Sequence, residues 1–216
     1  MSFPFLSINK LFIIVIAFLV GILVFNLFRS IPISETIILN VDKGYGLNQV
    51  IETLNQRKLI KRPLILKAYV RVFNSKATIK AGEYLISKDE NVYQLIEKIN
   101  EGSVYYRQIR LKEGSTFNEI LNSFTDNNYI KKDNHFNNLD KIKAILSIEV
   151  KSLEGQFHPD TYNYIRGDSY IDILNRSNLK HQNILEELWN SRSLNLPYQN
   201  SYEALILASL IEKEGI

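Results

Sequence analysis

Between Lys10 and Arg29 the chain runs through eighteen consecutive uncharged residues, LFIIVIAFLVGILVFNLF. As a helix this run spans about 27 Å, just enough for the hydrocarbon core of a bilayer. A cleaved signal peptide has a shorter apolar region and a small-x-small cleavage site. Here the run closes on Phe25, Asn26, Leu27 and Phe28, with Arg29 next. The expectation is an uncleaved, single-pass transmembrane helix over residues 11–28, preceded by a cytoplasmic tail at 1–10. Lys10 and Arg29 balance each other as topology signals, so orientation follows from size. A ten-residue tail cannot be a domain, which places the bulk of the chain on the far side of the membrane; for a bacterium that is the periplasm or cell-wall space.

After a linker at 29–36, a pattern begins that occurs twice. Residues 38–54, ILNVDKGYGLNQVIETL, align with residues 108–124, QIRLKEGSTFNEILNSF, at an offset of seventy. Gly44 meets Gly114, Asn48 meets Asn118, and Ile60-Lys61 meets Ile130-Lys131. Each copy reads as a strand, a glycine turn and an amphipathic helix. Thr116 with Glu119 forms a capping box for the second helix. Between the copies Pro63 opens a helix whose apolar positions include Leu64, Leu66, Ala68, Tyr69, Val72 and Phe73. Residues 81–86 read as a strand. A short helix at 91–99 follows, with Asn91 and Gln94 as its cap signals and Gly102 after its end. Residues 105–111 return as a strand. The resulting β-α-α-β order over 37–86 resembles the LysM module, which binds N-acetylglucosamine chains, so 37–104 is expected to be a LysM-like subdomain.

Further on, residues 126–138 read as a polar loop, 139–148 as a short helix, and 153–165 as a stretch dense in turn residues and aromatics. Ser169 with Asp172 caps another helix. After the bend Leu196-Pro197-Tyr198, a last helix is expected over 200–216, capped by Asn200 and Glu203. Residues 204–211 are apolar apart from Ser209, as in a buried helix. At 3.6 residues per turn, Leu205, Ala208, Ser209 and Glu212 share one face, and Leu207, Leu210, Ile211 and Glu214 another. A glutamate beside small side chains at the edge of a buried helix is a candidate general acid, its pKa raised by desolvation. The competing reading is that the helix reaches solvent here and its charges mark the exit. Glu154, Gln156 and Asp160 are candidates for sugar hydroxyls, with Asp160 after Pro159 equally a turn former. Phe157, Tyr162 and Tyr164 suit either sugar stacking or core packing. Ser209 either orients the Glu212 carboxylate or is simply a small helix residue.

Composition excludes several classes. There is no cysteine, and His135, His158 and His181 are scattered without ligand spacing, so no metal or other cofactor is expected. A net charge of +3 is too small to suggest nucleic acid.

Residues 153–162, LEGQFHPDTY, followed by Leu196-Pro197-Tyr198 and residues 207–214, LASLIEKE, resemble the YceG-like family, the endolytic murein transglycosylases. Gln156 and His158 stand where that family more usually has aromatic or large apolar residues. The resemblance covers essentially the whole chain. It implies an α+β fold: an N-terminal transmembrane helix, the LysM-like β-α-α-β subdomain, and a mixed α+β catalytic domain whose N-terminal part is residues 105–216. It also implies that this domain is incomplete here, the chain being a fragment. The implied activity is a lyase reaction, cleavage of the MurNAc-GlcNAc β-1,4 bond of nascent peptidoglycan strands with formation of 1,6-anhydro-MurNAc ends. Glu212 matches the family's catalytic acid/base, with Glu214 as its rival. Glu154, Gln156, Asp160, Tyr162 and Ser209 are the substrate-binding candidates. Implied partners are peptidoglycan glycan strands, the membrane and cell-wall synthases. A reading of different class is a non-catalytic, membrane-anchored glycan-binding or scaffold protein whose glutamates are structural.

Overall fold

The computed structural model describes residues 8–73 and 78–214. Most of the expected tail at 1–10 and the last two residues of the expected final helix lie outside these. The fold is mixed α+β, and it divides into two compact units that meet at Tyr105 and Tyr106.

The first unit comprises α1 (Ile8–Phe28), β1 (Ile37–Val41), α2 (Leu47–Gln56), α3 (Pro63–Phe73), β2 (Gly82–Ile86) and α4 (Val92–Glu101). The strands pair antiparallel, Ile37 opposite Ile86 and Val41 opposite Gly82. The β-α-α-β order read from the sequence is therefore present. Its core is built from one face of each element: Leu39 and Val41 from β1, Val50, Ile51 and Leu54 from α2, Tyr84 and Ile86 from β2, and Leu95, Ile96 and Ile99 from α4. Burying an aliphatic side chain of this size stabilises by about 1.5–3 kcal/mol.

Helix α1 is 21 residues long, and Leu11, Phe12, Phe18 and Phe25 along it are more than half exposed. Among the residues whose side chains are described, no stretch is long and apolar enough to cross a membrane; the side chains at 23 and 26, within α1, are outside that set. The helix ends inside the unit. Leu27 and Ile31 are buried in the core, Phe28 stacks on Tyr93 with ring centroids 5.4 Å apart, and the Ile31 N–H donates to the Glu90 carbonyl at 2.9 Å. The stretch expected as a linker is thus pinned at its start.

The second unit comprises β3 (Arg107–Arg110), α5 (Phe117–Thr125), α6 (Leu139–Ile145), β4 (Thr161–Tyr164), α7 (Tyr170–Asn190) and α8 (Ser201–Glu214). Up to α7 its element order is that of the first unit from β1 to α4. The correspondence extends to individual bonds. In the first half the offset is the seventy residues seen in the sequence. The Tyr45 N–H donates to the Asp42 carbonyl at 3.1 Å as Ser115 does to Lys112 at 3.4 Å. Gly44 and Gly114 both adopt positive φ, +86° and +66°. The Gln49 side chain accepts from the Gly46 N–H as Glu119 does from Thr116.

In the second half the offset becomes 78, because the connections before and after α6 are longer than those around α3. The Tyr84 hydroxyl donates to the Lys80 carbonyl at 2.7 Å and Tyr162 to His158 at 2.8 Å. Lys80 N–H donates to Ile99 and His158 N–H to Ser177, both at 3.3 Å. The Ser87 N–H meets the Glu90 carboxylate at 3.1 Å, as Ile165 meets Asp168 at 2.9 Å. Within the segment expected as the N-terminal part of the catalytic domain, residues 107–190 thus repeat the β-α-α-β plan, and α8 follows.

The final helix departs from expectation. No residue of α8 is buried; Ile206, Leu207, Leu210 and Ile211 are between 38% and 61% exposed. Only its first turns lean on the unit, where a Cβ added to Gly155 would lie 3.9 Å from Leu205 Cδ2. A run of apolar residues signals that a helix has surface to bury, but the surface that buries it must come from elsewhere.

Candidate functional site

The N-terminus of α5 is where the second unit gathers its candidate residues. Thr116 caps this helix: Thr116 Oγ1 accepts from the Glu119 N–H at 3.3 Å, and the Glu119 carboxylate accepts from the Thr116 N–H at 2.7 Å and from its hydroxyl at 2.9 Å. These bonds, the backbone one foremost, hold the Glu119 carboxyl below its ordinary range. The Glu154 carboxylate reaches the same helix end and accepts the Phe117 N–H at 2.8 Å. A carboxylate there satisfies a free backbone donor and sits favourably against the helix dipole. Gly155 passes beneath Leu205 of α8. Lys213, in the last turn of α8, lies within electrostatic reach of Glu119. The loop 153–157 and the start of α5 thus lie together, with Leu205 of α8 against the loop. Glu212 and Glu214 are both exposed.

The loop that supplies Glu154 is fastened to α7. Gln156 is 8% exposed and its carbonyl accepts from Asn178 Nδ2 at 2.8 Å. Phe157 stacks on Phe117 at 5.1 Å between centroids. The His158 carbonyl accepts both the Tyr162 hydroxyl, at 2.8 Å, and the Ser177 hydroxyl, at 3.1 Å. Burial pushes the Tyr162 hydroxyl above its usual pKa. Asp160 forms an ion pair with Lys180 and accepts the Thr161 N–H at 2.6 Å. The Lys180 ammonium is the first of the causes that hold the Asp160 carboxyl low, followed by the Thr161 N–H. His181 lies nearby on α7, with Nε2 buried and unpartnered. Burial first, then His158, keeps its imidazole below the usual histidine pKa.

Most residues chosen for sugar binding are therefore occupied by the protein itself. Glu154 caps α5, Gln156 and Tyr162 are buried with their loop, and Tyr164 packs in the core with its hydroxyl accepting from Asn127 Nδ2 at 2.7 Å. Ser209 turns its hydroxyl back onto the Ile206 carbonyl at 2.7 Å, along its own helix. Asp160 stays solvent-accessible, 43% exposed beside Lys180. The sequence names Glu119 only as a cap and does not single out Lys180 or Lys213. The capping pattern at Thr116 announced Glu119 as a structural residue, but nothing local links position 213 to position 119. Among the described residues no group of three or more His, Asp or Glu side chains is placed to hold a metal ion.

Comparison with known proteins returns a family match and a structural one. The YceG-like family matches this chain over residues 39–216. Among solved structures, the 2.6 Å crystal structure of a yceG-like protein, lmo1499, from Listeria monocytogenes matches at 19% identity, with a TM-score of 0.31. The match covers 72% of this chain and 57% of that one, so the present chain spans little more than half of that protein's length. No curated protein matches the chain.

Proposed function

The chain belongs to the YceG-like family, and from that premise we propose that it acts as a membrane-anchored endolytic lytic transglycosylase on peptidoglycan. The observation that carries this reading is the reach of the family match, which includes residues 153–162 and the whole of the 207–214 segment with Glu212. In the proposed reaction the Glu212 carboxylic acid protonates the glycosidic oxygen leaving MurNAc. The resulting carboxylate takes the proton of the muramoyl C6 hydroxyl as its oxygen closes on C1, forming the 1,6-anhydro ring. The carboxyl returns to its protonated form and no water is consumed, so a second carboxylate of the kind hydrolases use is not needed. Glu212 is exposed near the end of α8, on the helix face it shares with Leu205, Ala208 and Ser209. A glycan strand or protein surface lying on that face would exclude water and favour the protonated acid.

The test is Glu212→Gln against Glu214→Gln in the intact protein, with muropeptides resolved by chromatography after digestion of purified peptidoglycan. Glutamine keeps the shape but cannot donate the proton, so Glu212→Gln should lower anhydro-product release by roughly 10²–10⁴-fold. Glu214 lies about 200° away around the helix, and its variant should cost far less. Undiminished product from Glu212→Gln would move the acid elsewhere. Intact protein that binds strands yet never yields anhydro ends would favour a glycan-binding or scaffold role.

We also propose that α1 is the anchor, with both units on the periplasmic side of the inner membrane, near cell-wall synthases. Supporting this are its 21-residue length and its exposed leucine, isoleucine and phenylalanine side chains. Protease added to intact spheroplasts should degrade the part beyond residue 31, and full protection would refute the topology.

A further inference from the structure

Helix α3 is apolar on two sides. Leu66 and Val70 face the core of the first unit, 3% and 2% exposed. On the opposite side, 100° per residue lines up Leu64, Ala68 and Val72. Leu64 is 77% exposed and Val72 70%, and Ala68 is exposed between them. The same rotation places Arg71 beside this stripe and Lys67 at its edge. From 57 to 73 the chain carries six lysines and arginines and no acid, although it has 23 acidic residues in all. A solvated helix face usually mixes both signs of charge. An aliphatic stripe edged only by cations suits the headgroup region of an anionic bilayer.

The position of α3 points to the same partner. α1 packs against α3, and Leu27 in the last turn of α1 shares a small cavity with Lys61, Arg62 and Ile65 at the start of α3. Leu27 belongs to the protein core and is not available to lipid. The apolar run left for the bilayer is residues 11–25, fifteen residues, or about 22 Å of helix against about 30 Å of hydrocarbon. A short span is accommodated by thinning the bilayer and drawing flanking residues into the interface. The surface drawn in here is the one that surrounds the end of α1.

We propose that the outward face of α3 lies on an anionic lipid surface, Leu64, Ala68 and Val72 dipping below the headgroups while Lys61, Arg62, Lys67 and Arg71 meet lipid phosphates. The proposal rests on the anchoring role given to α1. It would hold the first unit flush with the membrane.

The chain has no cysteine, so Leu64→Cys gives a unique site for an environment-sensitive fluorophore. The labelled full chain is reconstituted into vesicles of phosphatidylcholine alone or with phosphatidylglycerol, and the pellets are washed with alkaline carbonate. With phosphatidylglycerol the label should shift to the blue and be shielded from an aqueous quencher, while a label at Leu194→Cys, 97% exposed in the second unit, stays aqueous. Each cation at such a surface is worth about fivefold in partitioning. Adding Lys67→Gln and Arg71→Gln should therefore lower the ratio of shielded to exposed label about 25-fold. Protein retained after the wash with an aqueous label at 64 overturns the proposal and leaves the anchor standing. Equal shielding in neutral vesicles overturns the anionic preference. Protein lost in the wash overturns the anchor, and the proposal with it.

Discussion

The carbonyl of His158 tests the doubled plan of the fold at a single atom. It accepts two hydroxyls, from Tyr162 at 2.8 Å and Ser177 at 3.1 Å. Removing either should cost only the net worth of one hydrogen bond, about 0.5–1.5 kcal/mol, because the other still satisfies the carbonyl. Removing both leaves a half-buried acceptor without either hydroxyl, at about 1 kcal/mol beyond the first loss. Tyr162→Phe and Ser177→Ala should therefore be non-additive, with a coupling energy of about 1 kcal/mol. The first unit supplies the control. There the Lys80 carbonyl takes the Tyr84 hydroxyl at 2.7 Å, and the position matching Ser177 is Ile99, which carries no hydroxyl. Tyr84→Phe alone should behave like the double variant. The assay is urea unfolding of the full chain in mild detergent. Trp189, the one tryptophan, sits on the same α7 as Ser177 and reports the second unit, while far-ultraviolet circular dichroism reports both. Additivity of the Tyr162 and Ser177 variants within about 0.5 kcal/mol would refute the shared-acceptor argument.

Gly44→Ala and Gly114→Ala should each cost about 1–2 kcal/mol and match each other, since both positions have positive φ and open space for a Cβ and lose only backbone preference; Gly82→Ala should cost more in the same melts, its Cβ falling 2.4 Å from Val104 Cγ1. Glu154→Ala should destabilise the second unit by about 1 kcal/mol through the lost cap on the Phe117 N–H, and Trp189-detected unfolding will show whether it does. Asp160 has its folded pKa lowered, chiefly by Lys180, so the unfolded chain takes the proton first: stability is present above about pH 4 and lost as pH falls through the folded value. Asp160→Asn should flatten that limb in urea midpoints measured against pH. His181 is likewise lowered, by burial, and as a base its unfolded form charges first below about pH 6.5; melting temperature should fall with pH from there, and His181→Gln should remove the slope.

Local chemistry was enough to read much of this chain. Strand-turn-helix copies at an offset of seventy follow from glycines that must sit at positive φ and from apolar residues at helical spacing. The caps at Asn91, Thr116, Ser169 and Asn200 are short-range hydrogen bonds, so they too could be read from neighbours three residues apart. The chain's membership of the YceG-like family was carried by contiguous runs at 153–162 and 207–214. The second β-α-α-β unit was not legible. Its return strand β4 is only four residues, TYNY, its partner lies more than fifty residues away, and an added eight residues break the offset. In α7 the buried position of Ile99 is taken by Ser177, whose hydroxyl hides in a bond to a distant carbonyl, so hydrophobic pattern gives no sign of it. Roles around the candidate site were decided the same way. Glu154 and Gln156 are polar residues in a turn-rich loop, and only tertiary structure could show that helix α5 and helix α7 already use them, or that Tyr162 is spent on the His158 carbonyl. Apolar content in α8 stated that the helix has surface to bury. Which surface buries it is a property of other residues, and a helix's own sequence cannot contain it.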